Sequence, residues 1–342
     1  MPQVRLTRLQ QRYQELSPLN EGGMGVVYTA HDPILEREVA IKSVPPGTPA
    51  GSVEVQRFLA EARFTGKLQH PCIPPVYELG KDEDGRPFFS LLLIRGQSMG
   101  QLIRQLREGR LELHQQYRFH HRLEVFLKVC EAVAYAHAQG VLHRDIKPDN
   151  IMLGERGEVF LVDWGLAREE SSSAGLTGQW TVIGTPGFLA PEMFTGTRPS
   201  EATDLYALNA TLYEWLTLNR PSEGKDLNEI VQNTLRKVPL EACSLNHAQQ
   251  GRVPKEMSNL LWKGLEKDPG KRFQSLAEYM AEIRLILDGF SCPVCPHTAV
   301  KSGLNGLSRW IDNHPRTGLI LFFVLLALAA LGWGSLLLWF LP

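Results

Sequence analysis

A surplus of either charge sign is missing from this 342-residue chain: 36 lysines and arginines meet 37 aspartates and glutamates, a net charge of −1. Binding nucleic acid by phosphate neutralisation needs a basic surplus, so no nucleic-acid partner is expected. Cysteine is scarce as well. The five present, Cys72, Cys130, Cys243, Cys292 and Cys295, are dispersed and odd in number, which does not make a disulfide framework. Met1-Pro2-Gln3-Val4-Arg5 leads into polar sequence with no apolar segment behind it, so no signal peptide is expected. Internal repeats and low-complexity tracts are absent too. What remains is 43% hydrophobic and 21% charged, enough for a folded core and too apolar for a disordered chain. The length suits one large two-lobed domain or two ordinary ones.

Long uncharged runs are confined to the C-terminal end. Gly318 to Leu341 carries no charge over 24 residues. As a helix it would extend roughly 36 Å, enough to cross a hydrocarbon core of about 30 Å with some tilt. Trp310, Trp333 and Trp339 lie toward its ends, and Lys301, Arg309 and Arg316 precede it. The excess of positive charge on that side predicts a single-pass anchor in the inner (plasma) membrane, with the N-terminal domain in the cytoplasm. The linker before it contains Cys292-Pro-Val-Cys295 with His297 and His314 nearby. That is the spacing of a zinc half-site, but the better reading is a reduced thiol pair, since a closed site needs four well-placed ligands.

The pattern changes along the chain. From Arg12 to Ile94 it is strand-rich, with β-branched runs at Val26-Val27-Tyr28 and Val39-Ala40-Ile41. One helix is predicted there, Arg57 to Leu68, with Phe58, Ala62 and Leu68 on one side. From Ser98 to Asp288 the pattern is mostly helical, with helices predicted over Leu123–Gln139, Ala202–Thr217 and Ala277–Leu287. The expected division is 12–94, 95–288, a Pro/Gly/Ser-punctuated linker over 289–317, and the span at 318–341.

The densest chemistry lies in His143-Arg144-Asp145-Ile146-Lys147-Pro148-Asp149-Asn150, followed by Val162-Asp163-Trp164-Gly165. A carboxylate beside a lysine, an amide five residues on and a second carboxylate thirteen beyond it suit the orientation of a hydroxyl against a magnesium-bound nucleoside triphosphate. Upstream, Leu19 to Tyr28 holds Gly22, Gly23 and Gly25 ahead of Val27, and Lys42 ends the run Val39-Ala40-Ile41. Downstream come Gly184-Thr185-Pro186-Gly187-Phe188-Leu189-Ala190-Pro191-Glu192 and Lys267-Asp268-Pro269-Gly270-Lys271-Arg272.

In this order the motifs resemble the protein kinase family, from about Arg12 to Asp288, and look closest to bacterial transmembrane, eukaryotic-like serine/threonine kinases. The resemblance implies an α+β, two-lobed kinase fold: a small antiparallel sheet with one helix, then a mostly helical lobe, here followed by one C-terminal transmembrane helix. It implies ATP and magnesium as cofactors and serine or threonine hydroxyls of proteins as acceptors. By the same resemblance Asp145 orients the acceptor hydroxyl, and Lys147 neutralises charge on the transferring group. Lys42 holds the phosphates and pairs with Glu61, while Asn150 and Asp163 hold the metal. Gly22, Gly23 and Gly25 approach the phosphates. Val27, Ala40 and Met152 sandwich the adenine, with backbone groups of Leu92 and Ile94 at its edge and Leu91 as gatekeeper. Glu192 is matched with Arg272, and Asp204 is expected to cap the catalytic loop. Two departures stand out: Asn20 replaces the first glycine of the loop, and Trp164 the usual phenylalanine.

Arg144 before Asp145 implies ordering of the activation segment by a phosphate, with Ser171, Ser172, Ser173, Thr177 and Thr181 as candidate sites and Thr177 or Thr181 favoured. Autophosphorylation in trans, within a homodimer or between neighbours on the membrane, is the expected route. The rival reading is a pseudokinase scaffold that binds nucleotide without turnover.

Overall fold

The computed structural model describes residues 9–22, 25–166, 168–169 and 184–289. The predicted span 318–341, the Cys292/Cys295 pair, Gly23 and the stretch from Ser171 to Thr181 lie outside these. Among the described residues no helix is long and apolar enough to cross a membrane. The chain divides into two compact units, Met1–Ile283 and Arg284–Pro342, and the second enters the description only as the end of the last helix.

The first unit opens with a short helix α1 (Leu9–Arg12) and an antiparallel sheet of β1 (Gln14–Gly22), β2 (Gly25–Asp32), β3 (Arg37–Ser43), β4 (Val76–Lys81) and β5 (Pro87–Leu92), ordered β1-β2-β3-β5-β4. Helix α2 (Val53–Lys67) lies between β3 and β4 in sequence. Side chains alternate along strands, so Val39 and Ile41 of β3 share one face while Ala40 and Lys42 take the other. The first face is covered by Leu9 and Tyr13 together with Ala30 and Phe88. The second packs Phe89 against Val55, Phe58 and Ala62 of α2. The sheet is therefore buried on both sides, and Leu9, three residues before Arg12, already packs on it.

The hydroxyl of Tyr13 lies 2.7 Å from Ser90 Oγ and 2.9 Å from Glu78 Oε2. Next to it Arg12 donates to both oxygens of Asp32, the second at 2.8 Å, and the amides of Ile34 and Leu35 donate to Oδ1. The Arg12 hydrogen bonds, working against burial, pull Asp32 down to about 2. That folded value lies below the unfolded one of about 3.9. The contribution of Asp32 to stability is thus complete above pH ~4 and lost as pH falls toward 2. Asp32→Asn should flatten the acid limb of a Tm-against-pH curve in that window; an unchanged slope would assign the limb to other groups.

Helix α2 starts four residues earlier than its apolar spacing predicts. Ser52 is the reason: its Oγ accepts from the amide of Val55, and Glu54 adds a negative charge to the first turn. Phe58, Glu61, Ala62 and Thr65 all fall on the buried face.

The helical lobe follows: β6 (Gly96–Ser98), α3 (Met99–Arg107), α4 (Leu111–Gln116), α5 (Phe119–Ala138), β7 (Val141–Leu142), β8 (Ile151–Gly154), β9 (Val159–Leu161), β10 (Arg168–Glu169), α6 (Glu201–Thr217), α7 (Leu227–Arg236), α8 (Lys255–Gly264) and α9 (Leu276–Leu287). β6, β8 and β9 form one antiparallel sheet, and β10 pairs with β7. α6 is buried without interruption from Thr203 to Thr217, against α5 and α8. It is the axis of this lobe, and the loop before β8 rests on its N-terminal end.

Candidate active site

Two groups of polar side chains are built on these elements. In the first, Lys42 projects from the α2 side of the sheet. Its Nζ lies 2.6 Å from Glu61 Oε1 and 3.6 Å from Asp163 Oδ1. Burial alone would push the ammonium down, but the carboxylates of Glu61 and Asp163 outweigh it and hold Lys42 above its ordinary range. Asp163 has a φ of 66°, unusual for a residue with a side chain. The turn after it, Trp164–Leu166, packs on α2. Trp164 is buried against the ring of His143 at 4.5 Å, and its indole N–H donates to the Leu161 carbonyl.

In the second group, Asp145 accepts four hydrogen bonds. Thr185 N and Thr185 Oγ1 reach Oδ1 at 3.0 and 2.9 Å; Lys147 Nζ and Asn150 Nδ2 reach Oδ2 at 2.7 and 3.1 Å. Lys147 also donates to Thr185 Oγ1 at 2.6 Å. Burial raises the Asp145 carboxyl, yet the Lys147 and Thr185 bonds outweigh it and hold the group below its usual range. The backbone here is anchored from beneath. Asp204 accepts from the amides of His143 and Arg144, both at 2.9 Å, and faces His137 Nε2 at 2.8 Å. These bonds sustain a φ of 69° at Arg144.

The two groups meet where β8 and β9 run side by side: the amide of Val162, next to Asp163, donates to the Asn150 carbonyl at 2.9 Å. Asn150 spends its side-chain N–H groups on Asp145, leaving its amide oxygen without a donor among the described residues. Asp163 Oδ1 is buried and likewise accepts no hydrogen bond. An amide oxygen that no donor takes up and a carboxylate oxygen that faces only Lys42, at 3.6 Å, are both hard ligands and fit a magnesium ion.

Around them lie the other residues predicted from sequence. Gly25 has a φ of 147°, and a Cβ there would sit 2.7 Å from the Ser43 carbonyl, so only glycine fits this close approach. Val27 faces Lys42 across β2 and β3, and Ala40 faces Leu91 across β3 and β5. Gly22 pairs with Gly25 at the end of the hairpin. Asn20 pairs with Val27 in the β1–β2 ladder, next to a register irregularity between Pro18 and Asn20. Met152 alternates with buried Ile151 and Leu153 and is only half-buried. The amide of Leu92 donates to Pro75, which leaves its carbonyl as the group to consider at a ligand edge. Ile94 follows, half-buried.

Further from the cleft, Arg272 and Glu192 form a two-pronged ion pair with both contacts at 2.7 Å. Two histidines went unassigned in the sequence. His137 supports Asp204, while His143 Nδ1 accepts from the Asp145 amide and Nε2 faces the Val162 carbonyl. Burial lowers the His143 pKa and keeps the ring neutral, as that bonding requires. Among the described residues no cluster of His, Cys, Asp and Glu is arranged as a protein-only metal site.

The protein kinase domain family model matches residues 13–282. The serine/threonine-protein kinase PknD of Protochlamydia amoebophila is 34% identical over 299 residues, and that of Chlamydia muridarum 34% over 308. The PknD of Chlamydia caviae is 33% identical over 298 residues. Each alignment covers 82% of this chain but only 30–32% of the relative, so the chain spans about a third of the length of these proteins.

Proposed function

The chain belongs to the protein kinase family, and from that premise we propose that it transfers the γ-phosphoryl group of ATP to serine or threonine hydroxyls of proteins. The observation that carries this reading is the double constellation: Lys42 held between Glu61 and Asp163, and Asp145 held between Lys147, Asn150 and Thr185. Asp145 takes the acceptor hydroxyl and its proton, and its depressed pKa keeps it ionised for that work. Lys147 and Lys42 present positive charge to the phosphates from two sides, each fixed by its carboxylate partner. Asn150 and Asp163 would hold magnesium, which when bound supplies charge neutralisation on the phosphates. Thr185 Oγ1, touching both Asp145 and Lys147, supports serine/threonine acceptors, as do the names of the relatives.

The test is transfer from labelled ATP by the full chain to itself and to an added Ser/Thr-rich protein. We expect transfer in the wild type with magnesium, loss on chelation, and a drop of at least a hundredfold for Lys42→Met. Nucleotide binding without transfer in the wild type would replace the enzyme with a scaffold. Label mapping to Thr177 or Thr181 at a rate second order in protein supports autophosphorylation in trans; an active enzyme without label there removes it. Preparing the protein also tests the membrane anchor, which rests on the uncharged run 318–341. The anchor predicts that the chain stays with membranes through an alkaline carbonate wash, with the kinase domain on the cytoplasmic side; release into the supernatant removes it.

A further inference from the structure

The helical lobe contains a cavity of about 440 Å³ that shares no residue with the cleft just described. It opens between the start of α5 and residues 249–252, with the C-terminal end of α6 at its back. Three arginines line it, Arg118, Arg122 and Arg252, and no carboxylate does. Arg118 and Arg252 are exposed and form no ion pair among the described residues.

Arg122 is only 2% exposed, and a buried charge ordinarily has a counter-charge. Arg272, equally buried, meets Glu192 twice. Arg122 meets neutral groups only: Nε donates to the Tyr117 carbonyl at 2.8 Å, Nη1 donates to the Trp215 carbonyl at 2.9 Å and to Gln250 Oε1 at 2.6 Å, and the guanidinium lies 5.1 Å from the centre of the Trp215 ring. Its Nη2 has no acceptor among the described residues. Burial lowers its pKa to about 10, with no carboxylate acting to restore it. The same place holds the N-terminus of α5, a 20-residue helix whose N-cap is Arg118. No side chain caps its first amides and no acidic residue lies in its first turn. An uncapped helix start carries about half a positive charge and several free N–H donors.

We propose that this cavity binds a small phosphate monoester. Burial without a counter-ion at Arg122, two further unpaired arginines and open helix amides together match a dianion with three acceptor oxygens. Tyr117, Phe119 and Leu216 supply apolar wall for a compact body attached to the phosphate. The volume lies within the ~300–1,000 Å³ of small-molecule sites.

The test is calorimetric titration of the full chain in detergent with phenyl phosphate, at constant ionic strength and with the nucleotide site filled by a non-hydrolysable ATP analogue. It does not depend on phosphoryl transfer. We expect saturable binding in the wild type and at least tenfold weaker binding for Arg118→Gln/Arg252→Gln, whose unliganded Tm should match the wild type because both side chains are exposed. Heat no greater than that of matched chloride, or an affinity the double variant leaves unchanged, would overturn the site. Binding that vanishes once the nucleotide site is filled would overturn it too, by placing the ligand in the cleft.

Discussion

Asp145→Asn should lower kcat for phosphoryl transfer by about 10²–10⁴-fold while leaving the affinity for ATP close to wild type. The carboxylate receives two donors on each oxygen: the amide and hydroxyl of Thr185 on Oδ1, Lys147 and Asn150 on Oδ2. Asparagine keeps the shape but can turn an oxygen toward only one of those pairs. Whichever way it turns, its own NH₂ faces two donors, so two hydrogen bonds are lost along with the negative charge. The proposed nucleotide end of the site is built from other residues, Lys42 and Glu61, whose ion pair does not touch Asp145. A split effect follows: turnover collapses and ATP binding, read by thermal shift with nucleotide, persists. A variant with wild-type kcat would remove Asp145 from the chemistry, and equal loss of both properties would make its role structural.

The pH profile provides a second check on the same residue. The folded pKa of Asp145 lies below the ordinary carboxylate value, so the group is ionised above about pH 4 and is lost only as pH falls through its depressed pKa. An acid limb of kcat/KM near neutrality must therefore come from another group, and it should survive in Asp145→Glu if that variant retains turnover.

Much of this arrangement was legible in the sequence because it depends on local spacing. Asp145, Lys147 and Asn150 are neighbours in one loop, and a fixed loop fixes their order. The helices α6 and α9 begin within a residue of where their patterns predict, since long apolar stripes set those bounds. Glu61 was harder to separate from Glu54 and Glu78 by sequence. What distinguishes it is the helix face it shares with Phe58, Ala62 and Thr65, whereas Glu54 is exposed in the first turn and Glu78 sits in β4 beside Tyr13. Other features had no local signal. Leu9 reads as part of the polar lead-in, and its burial beside Tyr13 exists only because the sheet offers them a second face. His137 meets Asp204 across 67 residues, a contact that neither sequence neighbourhood announces. The counter-ion missing from Arg122 is likewise visible only when every oxygen around it can be named.

Glu192→Gln should destabilise the fold by about 3–5 kcal/mol, the usual cost of stranding one partner of a buried ion pair. The Arg272 side chain is fully buried, and all five of its N–H donors are used: two on Glu192, the rest on the carbonyls of Glu266, Ala202 and Lys267. Its guanidinium also lies 4.8 Å from the ring of Tyr206. Removing the charge of Glu192 leaves a cation in this pocket with neutral partners only, and one of the two former oxygens becomes a competing NH₂ donor. Arg272→Met should cost a similar amount for the opposite reason: Glu192 loses its counter-charge and three backbone carbonyls lose their donor. The two substitutions together should cost clearly less than the sum of the singles, since neither then strands a charge against the other. Chemical denaturation of the four proteins measures this directly. Strict additivity would mean that the pair contributes nothing as a pair, and that the bonds from Arg272 to the three carbonyls alone hold this part of the helical lobe together.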